Sequence, residues 1–192
     1  ERTNNGNFTL EQSITYPKKR VGSIRTGGND LRGHARATGK FTINPLWRWG
    51  FEASRSTDDT YLRRYGFSNE KTLVTNTYLE GFSGRNYAAI NAWAFQGLRK
   101  DDDPGETPLV LPMAEYSLTT IPNSKGQTIA IDASFLSLTR NEGTDSWRFS
   151  SEGKLIWNRS NLLGHVYNLT GSIRGDGYVV SSVQNPNLPS EQ

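Results

Sequence analysis

The residues with the clearest chemical potential are bases set at alternate positions. Arg32, His34, Arg36 and Lys40 recur at even spacing in one stretch, Arg48 and Glu52 follow in the next, and Arg148 and Lys154 repeat the pattern far along the chain. In an extended backbone successive side chains point to opposite faces, so each set shares one face. Guanidinium and ammonium groups arranged this way can hold phosphate oxygens through charge-assisted hydrogen bonds. The plainer reading, which we favour, is that they line a hydrated surface and pair with Glu11, Glu52 and Glu152.

Other clusters carry weaker chemistry. Asp101, Asp102, Asp103 and Glu106 could offer oxygen ligands to a divalent cation, but they lack the spacing of an EF-hand loop and read better as a solvated acidic loop. Asp58 and Asp59 beside Arg63 and Arg64 suggest a self-paired loop packed over a rim. Trp47, Trp49, Trp147 and Trp157 fit membrane-interface anchors better than a sugar-binding platform. Three Asn-X-Ser/Thr matches, at Asn7, Asn158 and Asn168, are ascribed to chance.

Covalent catalysis has little to stand on. The chain has no cysteine and two histidines, and no G-x-S-x-G, Walker or H-E-x-x-H pattern occurs. We expect no enzyme activity, no cofactor and no metal site. The 22 basic and 19 acidic residues leave a net charge of +3, which does not indicate a nucleic-acid-binding face.

The elements that must position these side chains are strands. Residues 7–16 alternate, with Phe8, Leu10, Ile14 and Tyr16 opposite Thr9, Glu11, Ser13 and Thr15. The run 31–43 does so over greater length, placing Leu31, Gly33, Ala35, Ala37, Gly39, Phe41 and Ile43 opposite the bases. Seven further segments follow, at about 46–55, 72–82, 87–98, 108–120, 128–139, 147–157 and 165–174, none with a helical period. The longest apolar run is Leu109 to Ala114, far short of the ~20 residues of a spanning helix. A helical membrane protein is excluded.

Two features point to strands that cross a bilayer. Trp147 and Trp157 bracket an apolar face; at ~3.3 Å per residue they stand about 33 Å apart, or roughly 25 Å once tilted, the height of a lipid-facing band between aromatic girdles. Long connections at 17–30, 56–71 and 99–107 also alternate with short ones at 44–45, 83–86 and 121–127 before the contrast blurs. Outer-membrane barrels show this alternation, whereas a β-sandwich has no reason to keep it.

Magnitude decides which face meets lipid. A base facing hydrocarbon at mid-bilayer costs ~2–4 kcal/mol. Arg32, Arg36 and Lys40 share a face, so that face must look into water, and by the same argument Arg48 and Glu52 point inward while Trp47, Trp49 and Phe51 point outward. Segments 72–82 and 87–98 admit no such assignment, because polar and aromatic residues share a face there. Pro112 interrupts a strand pattern and predicts a bulge or bend. Nine strands is an odd number where bacterial single-chain barrels close with an even one. We therefore expect a slice of about nine strands from a larger antiparallel up-and-down transmembrane β-barrel, one that does not fold alone.

The segments WRWGFEASRSTDDTYLRRYGF (47–67), YLEGFSGRNY (78–87), FQGLRKDDD (95–103), PLVLPMAEYS (108–117) and LSLTRNEGTDSWRFSSEG (136–153) resemble the barrel domain of the lipopolysaccharide-assembly protein LptD, also called organic solvent tolerance protein, most closely in its alphaproteobacterial form. The resemblance implies a barrel in the bacterial outer membrane that passes lipopolysaccharide to the outer leaflet, plugged by an LptE-like lipoprotein and fed by an LptA-like periplasmic bridge through an N-terminal jellyroll. It implies that residues 1–192 are part of one barrel domain, with signal peptide, jellyroll and last strands lying outside them, and it makes the lumen-facing Arg32, His34, Arg36, Lys40, Arg48, Glu52, Arg148 and Lys154 the candidates for contact with lipopolysaccharide or the plug. A porin-like channel and, further off, a soluble β-sandwich binding module are the alternatives.

Overall fold

The computed structural model describes residues 2–3, 5–21 and 24–181, with the backbone alone for residues 2, 3, 19–21, 25 and 26. It is all-β apart from one helical turn. The strands are β1 (Arg2–Thr3), β2 (Gly6–Thr15), β3 (Lys18–Val21), β4 (Ile24–Asn29), β5 (Arg32–Thr42), β6 (Trp47–Ser56), β7 (Thr72–Ser83), β8 (Asn86–Gly97), β9 (Leu109–Thr119), β10 (Gln127–Thr139), β11 (Asp145–Ser160) and β12 (Val166–Ser181), with α1 at Tyr61–Arg64.

A single antiparallel sheet runs in the order β1-β2-β5-β6-β7-β8-β9-β10-β11-β12, and β3 and β4 form a separate hairpin. From β5 onward each strand pairs with the next in sequence, the order of an up-and-down meander. The sheet does not close on itself among the described residues. Nine long strands match the nine segments expected; the hairpin inside the first long connection was not foreseen.

The connections divide cleanly between the two ends of the sheet. One end carries residues 16–21, 24–31, 57–71, 98–108 and 140–144, the other 43–46, 84–85, 120–126 and 161–165. The expected bulge lies at Pro112: the ladders of β9 with β8 and with β10 both step from Met113 to Val110, leaving Leu111 and Pro112 outside.

Packing is unlike that of a water-soluble domain. The buried apolar cluster consists of Tyr61, Leu62, Leu73 and Leu98, while Ile90 (53%), Phe149 (52%) and Ile173 (79%) stand exposed. Large apolar side chains left outside in continuous rows mark a surface meant for another apolar medium.

Candidate functional site

Directly opposed residues on antiparallel strands share a face, so the register can be followed across the sheet. One row runs Asn7, Lys40, Gly50, Tyr78, Asn91, Met113, Leu136, Arg148, Tyr178. A row on the other face runs Phe41, Trp49, Leu79, Ile90, Ala114, Phe135, Phe149, Gly177, without one polar side chain. The alternation within β5, β6 and β11 then puts Arg32, His34, Arg36, Lys40, Arg48, Glu52, Arg148 and Lys154 on the first face and Trp47, Trp49, Trp147 and Trp157 on the second. The register also assigns β7 and β8: Asn76, Tyr78 and Glu80 join the charged face with Asn91 and Trp93, while Leu79 and Ile90 join the apolar one.

Charge is unevenly spread on the first face. β5 and β6 supply Arg32, Arg36, Lys40 and Arg48, whereas β7 to β10 supply Glu80, Glu115 and Asp132 and no base. A polar hollow of about 320 Å³ lies over this acidic stretch, lined by Tyr87, Glu115, Asp132, Glu152 and Arg174 among others. The side chains there are at least partly exposed, so solvent screens the ion pairs among them.

The pairing differs from the expectation. Arg32 grips Asp58 as a fork, Nε to Oδ2 at 2.7 Å and Nη2 to Oδ1 at 2.5 Å. Arg36 Nη2 reaches Glu70 at 3.0 Å, Arg48 Nε reaches Glu80 at 3.3 Å, and Arg148 Nη2 reaches Asp176 at 3.3 Å. Lys154 Nζ lies 3.3 Å from Glu152 and 3.7 Å from Asp132, and His34 Nε2 lies 3.5 Å from Glu11. Glu11 and Glu152 thus serve as expected. Glu52 does not: among the described residues neither it nor Lys40 has an ion-pair partner. Asp58 and Glu70 take the role because their loop turns back onto the sheet, bringing acids within reach that the strands themselves do not offer.

That loop, 57–71, corrects the picture of a self-paired cap on the rim. Asp58 pairs with Arg32 rather than with Arg63 or Arg64, and the segment lies against the charged face. Tyr61 is almost wholly buried, and its hydroxyl is 2.7 Å from Ser13 Oγ. The His34 ring sits against Phe67 (centroids 4.4 Å) and Tyr61 (5.8 Å), and its Nδ1 is buried without a partner. The driving force is ordinary: Tyr61 and Leu62 are the large apolar groups that this polar loop buries, against Leu73 and Leu98, while Phe67 lies over His34 and stays partly exposed; covering the first two stabilises the inward fold by roughly 1.5–3 kcal/mol per side chain fully removed from water.

Local chemistry shapes the loop. Asp58 Oδ1 accepts from the Thr60 N–H at 3.0 Å and from its hydroxyl at 2.9 Å, fixing the entry to α1. The Arg32 guanidinium, aided by these Thr60 donors, holds the Asp58 carboxyl well below the usual carboxylate range. Gly66 ends the turn at φ 73°, a left-handed value that suits glycine. Phe67 N–H then donates to Leu62 O at 2.9 Å and Gly66 N–H to Arg63 O at 3.4 Å, the two bonds of a Schellman cap.

Beneath the loop the sheet parts. The β6–β7 ladder stops at Glu52 opposite Asn76, although β6 runs on to Ser56 and β7 begins at Thr72. Side chains fill the gap: Ser54 N–H donates to Thr75 Oγ1 at 3.3 Å, Ser56 N–H donates to Gln96 Oε1 at 3.0 Å, and Gln96 Nε2 donates to Ser56 O at 2.8 Å. Sequence reading singled out neither Gln96 nor Tyr61 and Phe67. Three aromatics, Tyr61, Tyr65 and Phe67, within one long loop were the available signal for its inward fold; Gln96 left none.

The family model for LptD, described as LPS transport system D, matches residues 30–191. It takes in β5 to β12 and leaves out β1 to β4. A comparison with curated proteins gave no match.

Proposed function

Because the chain belongs to the LptD family of the lipopolysaccharide transport system, we propose that its sheet is a section of an outer-membrane barrel wall through which lipopolysaccharide reaches the outer leaflet. Residues 1–192 lie within one barrel domain on this reading. The apolar face meets hydrocarbon, the charged face looks into the lumen, and the long connections lie outside the cell. The mechanism is spatial and involves no covalent step. A hydrated interior accommodates sugar and phosphate, while acyl chains stay with the apolar side of the wall.

The observation that carries the reading is the pair of opposed rows, one entirely apolar from Phe41 to Phe149 and the other bearing Lys40, Tyr78, Asn91 and Arg148. A base on the first row would cost ~2–4 kcal/mol at mid-bilayer, and none is there. Within the lumen, Lys40 and Arg48 are the bases that meet phosphate: Lys40 has no acid partner among the described residues, and Arg48 is half exposed beside Glu80. Arg32, His34 and Arg36 act on transport through loop 57–71, which they hold. An LptE-like plug would rest against the charged face and an LptA-like bridge would deliver from the periplasm through an N-terminal domain.

Depletion of the protein in its host is the test. Loss of newly made lipopolysaccharide from the cell surface, with restoration by the wild-type gene, supports transport. Unchanged surface lipopolysaccharide together with a lost ion conductance would favour a porin instead.

A further inference from the structure

On the apolar face, at the long-connection end, a groove of about 490 Å³ opens between β2 and β6 over β5. Its floor is made of small residues, Gly33 and Ala35, with Ile14 and Leu31 beside it and Gln12 and Arg55 at its edge. The register explains the shape. The row Gln12, Ala35, Arg55 is followed inward by Leu10, Ala37, Ala53 and then by Phe8, Gly39, Phe51. Gln12, Leu10, Phe8, Arg55 and Phe51 flank β5, with Ala53 the small exception, while from Gly33 to Gly39 β5 itself contributes at most a methyl to this face, and the Phe8 and Phe51 rings, 6.2 Å apart, stand at the far end. Gly39 is needed there: a Cβ on it would stand 2.6 Å from both Phe41 and Phe51 ring atoms.

Arg55 is a cation that the fold leaves over. It is exposed and has no ion-pair or side-chain hydrogen-bond partner among the described residues. The acids closest in sequence are unavailable, since Asp58 is held by Arg32 and Glu52 projects from the opposite face. A guanidinium one residue from the end of its strand lies at the interface, where the cost of facing lipid falls toward zero, and its planar fork suits phosphate. The groove lining ends at Ala35, and Ala37, two residues further along the same face of β5, continues the strip of small residues to about 13 Å from Gly33, room for much of one acyl chain.

We propose that this groove is an outer-wall docking site for a phosphorylated, acylated glycolipid of the outer leaflet, with one acyl chain along Gly33, Ala35 and Ala37 and a phosphate on Arg55. The site is separate from the lumen. It rests on the reading that the apolar face meets hydrocarbon and the long connections lie outside. The commitment to a glycolipid over an anionic phospholipid follows from that placement, on the leaflet where phosphorylated glycolipid is exported.

The test is native mass spectrometry of the protein released from nanodiscs carrying bisphosphorylated lipid A, lipid A stripped of phosphate, or phosphatidylglycerol. Bisphosphorylated lipid A should bind saturably; Arg55→Gln should weaken it about tenfold and Arg55→Lys less. Ala35→Phe, which fills the groove, should lower occupancy with the guanidinium intact. Equal occupancy in wild type, Arg55→Gln and Ala35→Phe overturns the proposal, as does equal binding of phosphatidylglycerol. A spin label at Ala37→Cys separates the premise from the proposal: oxygen-accessible with no saturable binding leaves the membrane reading standing and removes the site, and a water-accessible label removes both.

Discussion

The Gln96 side chain stands in for a strand. Its Oε1 accepts from the Ser56 N–H at 3.0 Å and its Nε2 donates to the Ser56 carbonyl at 2.8 Å, so one amide side chain reproduces the paired bonds of a ladder where β6 and β7 have separated. Ser56 is 4% exposed, so neither group has water as a substitute. The parting gives loop 57–71 its seat, and Gln96 together with Thr75 keeps the parted backbone satisfied.

Replacing Gln96 with Leu leaves the Ser56 N–H and carbonyl unpaired at a cost of about 1–3 kcal/mol each. The expected outcome is faster hydrogen exchange in 53–56 and in loop 57–71, with the heat-dependent gel mobility of the barrel retained. Gln96→Glu, which can accept but not donate when ionised, should fall between Leu and wild type. Exchange rates unchanged in Gln96→Leu would refute the bridging role.

Tyr61 anchors the loop in two ways, and the two can be separated. Tyr61→Phe removes only the bond to Ser13 and should cost about 0.5–1.5 kcal/mol. Tyr61→Ala also empties the largest buried volume of the cluster and should cost roughly 3–5 kcal/mol. Trypsin cleavage after Arg63 and Arg64 on intact cells reads the difference, with rapid cutting expected only for Tyr61→Ala.

The Arg32–Asp58 fork makes the docking of the loop sensitive to acid but indifferent to pH changes near neutrality. Because the Asp58 carboxyl is held below its ordinary value of 3.8, its contribution is fully present above that value and is lost as pH falls through the lower, folded one. Protection of loop 57–71 from exchange should therefore be flat with respect to this pair from neutrality to about pH 4 and should fall below it. In Asp58→Asn the loop should be less protected at neutral pH, and this acid-dependent step should disappear.

Charge reversal tells transport residues from loop residues. Arg32→Glu should release the loop, and the swap Arg32→Glu with Asp58→Arg should restore both protection and surface lipopolysaccharide. Lys40→Glu with Arg48→Glu should lower surface lipopolysaccharide several-fold, with the loop still protected. Normal export in that double variant would exclude these two bases from phosphate contact.

The two faces can be checked directly with spin labels. Labels at Ile90 and Phe149 should be accessible to oxygen and shielded from a water-soluble nickel chelate, and labels at Lys40 and Asn91 should show the reverse. Interchanged accessibilities would turn the wall inside out.

The amino-acid sequence alone determined the nine long strands and, for β2, β5, β6 and β11, which side chains travel together. A period of two is local: Arg32, Arg36 and Lys40 share a face in any extended backbone, and the cost of a base in hydrocarbon then separates a wet face from a dry one. Tertiary structure decided the rest. In β7 and β8 both faces mix polar and apolar groups, so only pairing with neighbours of known face could orient Asn76, Tyr78 and Trp93. The partner of Arg32 lies 26 residues away and that of Arg36 lies 34 away, both acids on a loop whose inward turn depends on burying Tyr61 and Leu62 against Leu73 and Leu98. Such contacts form only once non-neighbouring segments have met, and no spacing along the chain records that meeting.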